Sequence, residues 1–306
     1  MLVHNGQSSH VTPKEKAEVT MFETVIIFNP TARSQRAASL WRTVESTIRE
    51  TAGIYPTTQA GEARALARHA VQNGARRIIA AGGDGTVNEV VNGMAGSSAA
   101  LGILPLGTMN VFAAELGLPK DLRKCWEVIQ AGHTRRIDLA RAGAHSFVQM
   151  AGAGFDAQAL QKTSWDAKRN LGPLSYLLSA AQVAAQKPPL LRVRAGGTVQ
   201  KGSFVLIGNG RHYGGPFPVF PNARLDDGLL DVVIFKNLSH LDLIRYAQGI
   251  LFGTHLNMHD VAYLQTPTLT VTSESHVPVE VDGEVIGNLP VTFHCEPGAL
   301  PVLVQQ

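Results

Sequence analysis

The feature that most constrains the fold is a glycine-rich turn between a short apolar run and a helical pattern. The run Ile78–Ala81 leads into Gly82–Thr86, whose sequence is Gly-Gly-Asp-Gly-Thr. Apolar residues at helical spacing come next: Val87, Val90, Val91 and Met94. Because glycine adopts backbone conformations that other residues resist, the chain can pass close to a ligand here. Together, the strand, turn and helix predict a βα unit in a mostly parallel sheet.

The first half of the chain continues this alternation of strands and helices. Apolar runs predict strands at Val25–Phe28 and Leu101–Leu104, and apolar stripes predict helices at Ser34–Arg49 and Glu62–Gln72. Strands joined by helices pair in parallel and form an α/β domain. In such sheets, ligands bind outside the carboxyl ends of the strands.

Short polar segments follow two other strands of this domain. Asn29–Thr31 comes after the first strand, and Gly107–Asn110 comes after the strand Leu101–Leu104. Since parallel strand ends share one edge, we expect three loops to meet there. The helix after the glycine turn presents unpaired N–H groups and a positive dipole end, which favour a phosphate. We expect Asp84 to orient a metal ion or a loop amide, and Thr86 to cap the helix or bind a phosphate oxygen.

The glycine turn differs from two better-known phosphate loops. It lacks the glycine, lysine and Ser/Thr that end a Walker loop, and Asn88 stands where the dinucleotide fingerprint has its third glycine. The purely structural alternative is a strand-to-helix turn in which Thr86 only caps the helix. Two further polar segments at the same sheet edge favour a binding site over that alternative.

After about Ile137, short β-rich runs separated by Asp-Gly and Gly-Gly turns predict an antiparallel sandwich. Helical patches at Gly172–Gln186 and Leu241–Phe252 interrupt them. We predict an α/β nucleotide-binding domain over residues 21–138 and a β-sandwich domain over 139–296. Residues 1–20 are polar and are predicted to form a disordered tail.

Composition excludes several classes of protein. The 306 residues carry a net charge of +3, which argues against a dedicated nucleic-acid partner but leaves room for basic patches facing a membrane. Two cysteines provide no disulfide framework, so a reducing cytoplasm is the expected location. No segment approaches the roughly 18 apolar residues of a membrane span. We therefore expect a cytoplasmic protein, peripheral at the membrane.

Two acidic turns in the second half are candidates for chemistry. Asp282-Gly283-Glu284 places two acids at a tight turn between apolar strands, which can raise the pKa of a general base. The more common meaning of Asp-Gly is a hairpin turn with a solvated tip. Asp226-Asp227-Gly228 has the same alternative, and its oxygens also suit Mg²⁺ or Ca²⁺.

These motifs together resemble the diacylglycerol kinase catalytic-domain family of lipid kinases, in particular its soluble bacterial members. Gly82–Gly93 is nearly identical to the family's nucleotide-binding signature, and Ile103–Asn110 is similar to its second signature. Leu225–Asp231 resembles a second-domain motif, and Val281–Glu284 resembles the catalytic segment. The resemblance extends from about Val25 to the C-terminus.

The resemblance implies an N-terminal α/β domain like that of NAD kinases, with three layers and a mostly parallel sheet, and a C-terminal antiparallel β-sandwich. The active site would lie between them, and residues 297–306 would return to the first domain. It also implies an ATP- and Mg²⁺-dependent kinase whose acceptor is a hydroxyl of a diacylglycerol-like or sphingoid lipid at a membrane surface. An NAD kinase-type enzyme with a soluble substrate and a non-catalytic nucleotide- or lipid-binding protein are the alternatives. A homodimer is left open.

Site residues follow from the same resemblance. The nucleotide pocket would comprise Asn29, Pro30, Thr31, Ala32, Arg33, Thr57, Gly82, Gly83, Asp84, Gly85, Thr86, Val87, Asn88 and Thr108. Glu284 would be the general base, with Asp282 beside it as a metal ligand or alternative base. A structural magnesium ion would bind the carboxylate of Asp227 and the carbonyls of Arg224 and Leu229. The chain departs from the family at Ala32-Arg33, where a small residue and glycine are usual, and at Val111, where aspartate is frequent.

Overall fold

The computed structural model describes residues 22–31, 45, 48, 51–154, 188–215 and 217–306. Three predictions fall outside this part of the chain: the tail over residues 1–20, most of the helix Ser34–Arg49 and the helix Gly172–Gln186. The nucleotide-pocket candidates Ala32 and Arg33 lie outside it as well.

The first half builds a parallel sheet in the order β2-β1-β3-β4. Its strands are β1 (Thr24–Phe28), β2 (Gly53–Pro56), β3 (Arg77–Gly82) and β4 (Ala100–Pro105). Its helices are α1 (Glu62–Gln72), α2 (Asp84–Met94), α3 (Val111–Glu115) and α4 (Leu122–Ala131). The predicted strands and the helix Glu62–Gln72 are confirmed. Each of them carries a clear apolar pattern, a continuous run in the strands and a helical stripe in the helix, which is why the sequence predicts it.

Helices cover both faces of this sheet. On one face Ile78 and Ile103 are buried against Ala67 of α1 and Val90 of α2. On the other face the alternate strand residues are buried with α4, for example Ile79 with Trp126. Side chains of a strand alternate between faces, so consecutive isoleucines serve two cores.

In its described part, the second half adds mostly antiparallel strands and one long helix. The strands are β5 (Thr134–Ala142), β6 (His145–Phe147), β7 (Met150–Ala153), β8 (Leu191–Ala195), β9 (Thr198–Gly202), β10 (Phe204–Gly208), β11 (His212–Tyr213), β12 (Phe217–Pro218), β13 (Leu230–Phe235), β14 (Val261–Thr266), β15 (Thr268–Ser273), β16 (Pro278–Val281), β17 (Glu284–Asn288) and β18 (Val291–Leu303). The long helix is α5 (His240–Leu251), and a 3₁₀ turn follows at His255–Asn257.

Two sheets pack face to face in this half. One is six-stranded, in the order β14-β13-β10-β7-β16-β17. The other continues the first-half sheet through β18, β15, β8 and β9. Val205 and Val232 of the six-stranded sheet share a core with Val271 and Phe293 of the opposite sheet. The predicted fold class, an α/β domain followed by an antiparallel β-sandwich, is confirmed.

Strand β18 connects the two halves. It pairs antiparallel with β15 and β5, and then parallel with β4 through Val302 and Leu101. One strand of 13 residues therefore belongs to the sandwich at its start and to the parallel sheet at its end.

Helix α5 packs on the outer face of the six-stranded sheet. Tyr246 is buried against Phe235, with ring centroids 4.7 Å apart. Asp260 accepts hydrogen bonds from Arg245 (2.9 Å), Tyr246 (2.7 Å) and Asn237 (2.9 Å), so the inner side of the helix is tied down by polar contacts as well. No helix in the described part of the chain has the length and apolar character required to span a bilayer.

Candidate active site

The glycine turn and the second loop lie backbone against backbone. A Cβ at Gly107 would be 2.5 Å from the Cα of Gly83, and a Cβ at Gly82 would be 2.3 Å from the Oγ1 of Thr86. Only glycine fits such spacing, because real Cβ atoms do not approach other heavy atoms so closely. The second loop follows β4 directly, and Leu106 donates its N–H to the carbonyl of Gly82 at 2.9 Å.

The N-terminus of α2 is open to an anion. Its N-cap is Gly83, and no side chain accepts a hydrogen bond at that cap. Gly85 is exposed, and a Cβ there would have no atom within 4 Å. The first N–H groups of a helix have no intrahelical partner, so this end of α2 offers donors and a positive dipole to a phosphate.

Asn29 joins the end of β1 to this helix. Its Nδ2 donates to Thr86 Oγ1 at 3.1 Å, and its Oδ1 accepts from the Thr31 N–H at 3.0 Å and hydroxyl at 2.8 Å. Thr86 is buried and does not cap α2, so the simple-cap alternative is wrong. Pro30 and Thr31 are exposed beside the turn, and Thr57 is buried with its N–H on the carbonyl of Phe28 at 2.8 Å.

Asp84 faces the start of α3. Its Oδ1 accepts the Phe112 N–H at 3.4 Å, and burial raises the pKa of this carboxyl although amides of Asn110, Val111 and Phe112 counteract the shift. Of the two roles expected for Asp84, the structure shows the loop amide. Asn110 closes the second loop by bonding the N–H (2.9 Å) and carbonyl (2.8 Å) of Gly107, which leaves Thr108 exposed.

Asp282 occupies a two-residue hairpin turn between β16 and β17. Its φ of 45° and the φ of 85° at Gly283 are both left-handed, as a type I′ turn requires. Val281 and Glu284 pair directly across the turn. The sequence therefore predicts the hairpin correctly, with Gly283 at a position that tolerates few other residues.

The carboxylate of Asp282 is not a solvated tip. It accepts four hydrogen bonds: from the backbone amides of Val148 (2.9 Å), Gln149 (3.0 Å) and Met150 (3.0 Å), and from Asn88 Nδ2 (3.0 Å). Burial raises the pKa of Asp282, whereas these donors stabilise its charged form. Both oxygens are thus engaged in holding the turn.

Glu284 stands beside this enclosed aspartate and differs from it. It is the first residue of β17 and is exposed. Within the described part of the chain, no hydrogen bond or ion pair engages its carboxylate. Its carboxylate is therefore accessible and is not engaged by the described residues.

Helix α2 links the two halves of the site. Asn88, in its second turn, donates to Asp282 across 194 residues of sequence. One turn later, the Nδ2 of Asn92 donates to the carbonyl of Ser146 at 2.9 Å, and its Oδ1 accepts the Ser146 N–H at 2.8 Å. The helix that presents the phosphate-type turn is thereby fixed to the acidic hairpin.

The predicted cation site lies on the loop before β13. Asp227 Oδ1 accepts the Leu229 N–H at 3.0 Å, which leaves its second oxygen without a hydrogen bond from the described residues. Burial raises the pKa of the nearby Asp231, hydrogen bonds from Tyr263 and Gln265 counteract this, and the charge of Asp227 adds to the rise, so two carboxylates lie close together at this loop. These features fit a cation. Among the described residues no three His, Cys, Asp or Glu side chains cluster as metal ligands, so backbone oxygens such as those of Arg224 and Leu229 would have to complete the set.

Glu115, at the end of α3, is a site-flanking residue that sequence reasoning missed. Its side chain is 3% exposed and accepts from Arg211 Nε at 2.9 Å and from the Arg211 N–H at 3.2 Å, and it also contacts His212. These contacts join the nucleotide half to the β11–β12 hairpin. Nothing in the local sequence marks Glu115, because its partners lie almost 100 residues further along the chain.

An uncapped helix start behind a glycine turn, bonded to a hairpin that carries two acids, has groups that phosphoryl transfer can use: amides for phosphates and a carboxylate for a proton. Residues 23–142 match the diacylglycerol kinase catalytic domain, and residues 149–304 match the YegS C-terminal NAD kinase beta sandwich-like domain. The chain therefore belongs to the diacylglycerol kinase catalytic-domain family of lipid kinases, and it is an enzyme.

Individual relatives agree with this assignment over nearly the whole chain. A diacylglycerol kinase of Staphylococcus carnosus is 31% identical, with 88% of this chain and 90% of the relative covered. One of Bacillus subtilis is 32% identical, with coverages of 88% and 91%. A solved diacylglycerol kinase structure from Bacillus anthracis has the same fold, with a TM-score of 0.75 at 24% identity, covering 92% of this chain and 96% of the other.

Proposed function

We propose that this chain is an ATP- and Mg²⁺-dependent kinase that transfers the γ-phosphate to a hydroxyl of a diacylglycerol-like or sphingoid lipid. The observation that carries the proposal is the Asn88–Asp282 hydrogen bond of 3.0 Å, because it ties the phosphate-type helix to the acidic hairpin. The names of the Staphylococcus and Bacillus relatives favour diacylglycerol as the acceptor. We also keep the division at residue 138, with residues 297–306 belonging to the first domain, and the pairing of β18 with β4 supports it.

The nucleotide would bind over the start of α2. The N–H groups around Gly83 and Gly85 would hold its phosphates, with the exposed Thr31 and Thr108 at either side. Asn29, Thr86 and Asp84 would keep the two loops in place rather than touch the phosphates, since their side chains are already bonded to protein. A magnesium ion bound with ATP would neutralise charge on the phosphates.

Proton transfer is assigned to Glu284. The acceptor hydroxyl oxygen would form a bond to the γ-phosphorus while the bond to the β–γ bridging oxygen breaks and ADP leaves. The hydroxyl proton would pass to the Glu284 carboxylate, which is exposed and unengaged by the described residues. Asp282 would act as a positioning residue, because four donors occupy its oxygens. The structural magnesium ion proposed for Asp227, Arg224 and Leu229 would hold the loop before β13.

An assay with radiolabelled ATP tests the acceptor class. The purified chain is incubated with diacylglycerol, monoacylglycerol, sphingosine, ceramide, phosphatidylglycerol and NAD, and the products are separated by chromatography. We expect label in a lipid product, in reactions that require added magnesium. Label in NAD alone would contradict the lipid assignment, and no label in any product would support a binding role.

The variant Glu284→Gln tests the assigned base. We expect kcat to fall by about 10²- to 10⁴-fold, the range of general-base catalysis, while ATP affinity and stability stay close to wild type. A matched control is Glu274→Gln, which makes the same change at a side chain that is 82% exposed and bonded to the exposed side chain of Arg192. Near-normal turnover of Glu284→Gln would remove this residue as the base.

A further inference from the structure

The outward side of α5 is unusual for a surface helix. Leu241 is 78% exposed, Ile244 56%, Leu251 64% and Phe252 74%. Positions 241, 244, 248 and 251 fall on one side of a helix, and Phe252 follows at its end. We call Leu241, Ile244, Leu251 and Phe252 the α5 apolar face. The outward side of a surface helix is ordinarily polar, so exposed apolar residues that share a side indicate a partner.

The charged side chains of α5 are paired. Asp242 and Arg245 bond each other at 2.9 Å, and Arg245 also bonds Asp260 at 2.9 Å. The other exposed residues between the ends of the face are Ala247 and the uncharged Gln248. Both charged side chains of the helix are therefore engaged in ion pairs and leave no unpaired charge of α5 among the exposed apolar residues.

Folding does not require the α5 apolar face. The helix begins with a complete capping box formed by Ser239 and Asp242. Its inner side already buries Tyr246 and Gly249, and a Cβ at Gly249 would be 2.3 Å from the Met258 methyl carbon. The helix is thus held by contacts that involve none of the four outward residues.

Two more exposed apolar residues lie between α5 and the candidate active site. Helix α5 contacts β12, whose Phe217 is 42% exposed. Gly215 lies between this residue and Met109, since a Cβ at Gly215 would be 2.6 Å from the Met109 methyl carbon and 3.7 Å from the Phe217 ring. Met109 is 50% exposed and belongs to the loop that packs on the glycine turn.

Positive charge lies at the start of α5. Lys236 precedes the helix in sequence. Ser203 donates hydrogen bonds to the carbonyls of Phe235 and Lys236, at 2.8 Å each. Lys201, two residues before Ser203, therefore lies near Lys236. Both lysines are exposed, and neither forms an ion pair within the described part of the chain. Two unpaired cations beside an apolar helix face are complementary to anionic headgroups above acyl chains.

We propose that the α5 apolar face docks on an anionic lipid bilayer, with Lys201 and Lys236 against the headgroups. The inference rests on the proposed function for one point only, that the acceptor resides in a membrane. A second copy of the chain fits less well, because a standard protein interface uses about 20–30 residues a side and this face offers four. Docking by this face would bring Phe217, Met109 and the active-site mouth toward the bilayer.

Vesicle co-sedimentation tests the docking directly. Wild type is mixed with vesicles of phosphatidylcholine, with and without phosphatidylglycerol. We expect binding to the anionic vesicles, weakened at least about tenfold by Leu251→Gln/Phe252→Gln and again by Leu241→Gln/Ile244→Gln. Lys201→Gln/Lys236→Gln should weaken binding to the anionic vesicles about tenfold or more, with little effect on neutral ones. The control Ala65→Gln alters an exposed residue of α1, in the other half of the chain and outside the face, and should bind like wild type.

A second measurement detects contact with the bilayer directly and does not rely on variants that weaken vesicle binding. Both native cysteines are buried, so a polarity-sensitive fluorophore can be placed on Phe252→Cys alone. We expect a blue shift and increased emission on adding anionic vesicles, and no change at Ala65→Cys on α1. Unchanged emission at Phe252→Cys, or wild-type vesicle binding by the glutamine variants, would overturn the proposal. So would a wild-type dimer that the α5 variants convert to monomers.

Kinase assays separate this proposal from the proposed function. With a short-chain acceptor dispersed below its micellar concentration, the α5 variants should retain wild-type kcat/KM. With acceptor held in vesicles, they should lose about tenfold or more, in parallel with binding. Vesicle binding by a chain that phosphorylates no lipid would reject the kinase assignment and leave the docking surface in place. Kinase activity on a lipid with no vesicle binding would reject the docking surface and leave the kinase assignment in place.

Discussion

The glycine turn and the Asp282 hairpin of the candidate active site are alike in one respect and differ in another. In both, an aspartate is bonded to backbone amides, but the group left open beside it is different. Asp84, in the glycine turn, accepts the amide of Phe112, and Asp282, in the hairpin, accepts the amides of residues 148–150. Each carboxylate fixes a neighbouring segment of backbone. What remains open is the helix N-terminus at Gly85 in the first turn and the carboxylate of Glu284 in the second. The comparison teaches that the two aspartates hold the backbone of this site in place, and that the groups left open beside them are those we propose to face the substrates.

The largest expected effect is that of Asp282→Asn. Its new NH₂ group would face backbone donors, and hydrogen bonds to a charged acceptor would be lost, so we expect the free energy of unfolding to fall by about 3 kcal/mol. We also expect kcat to fall more than about 100-fold, because the hairpin that carries Glu284 loses its anchor. Urea unfolding and the kinase assay measure both. An equal loss of kcat with unchanged stability would contradict the positioning role and make Asp282 the base.

Two glycine substitutions separate packing from ligand contact. Gly107→Ala would place a Cβ 2.5 Å from the Cα of Gly83, so we expect a loss of about 2 kcal/mol in unfolding free energy. Gly85→Ala meets no atom within 4 Å, so stability should stay within about 0.5 kcal/mol of wild type. If phosphates lie over α2, Gly85→Ala should nevertheless raise the KM for ATP. An unchanged KM would show that the nucleotide is held elsewhere.

The variant Asp84→Ala examines the first aspartate alone. We expect a loss of about 1 kcal/mol, typical of a lost helix cap, together with a lower kcat because the second loop shifts. Asp121→Ala is the matched control, since Asp121 caps α4 by accepting from the amides of Arg123 and Lys124. Thermal unfolding should show similar losses for both variants, with reduced turnover only for Asp84→Ala. Equal turnover would mean that the Asp84 contact is purely structural.

The smallest effect concerns Glu115, which flanks both turns. Burial acts to raise its pKa, but hydrogen bonds and charge from Arg211 and His212 outweigh it and hold the pKa below its ordinary value of 4.5. Such a group stabilises the fold above its unfolded pKa, and the stabilisation is lost as the pH falls through the folded value. Glu115→Gln should therefore cost about 1 kcal/mol at pH 7 and progressively less below pH 4.5. A difference that does not vary with pH in urea unfolding would contradict this origin.

Local patterns predicted most of the fold. The helix Glu62–Gln72, the strand before Gly82 and the hairpin at Asp282 each follow from a short run of sequence with its own periodicity or turn chemistry. The resemblance to a family supplied the division into an α/β domain and a sandwich. The helix, the strand and the hairpin are each determined by residues only a few positions apart in the sequence.

Contacts between distant residues could not be predicted in this way. Thr86 is held by Asn29 across 57 residues, and Asp282 is enclosed by Asn88 across 194. A solvated acidic tip was the more common meaning of the Asp-Gly pair, and only the packed structure shows the donors around it. Glu115 illustrates the same limit, because a single buried glutamate has no local pattern.

The position of strand β18 in the sequence has a consequence for folding during synthesis. The strand completes the sheet that carries the glycine turn, yet it is made after every strand with which it pairs. During synthesis, the first half therefore has an open sheet edge beside β4 until β18 emerges from the ribosome. A chain that ended before β18 would lack the strand that joins the two halves.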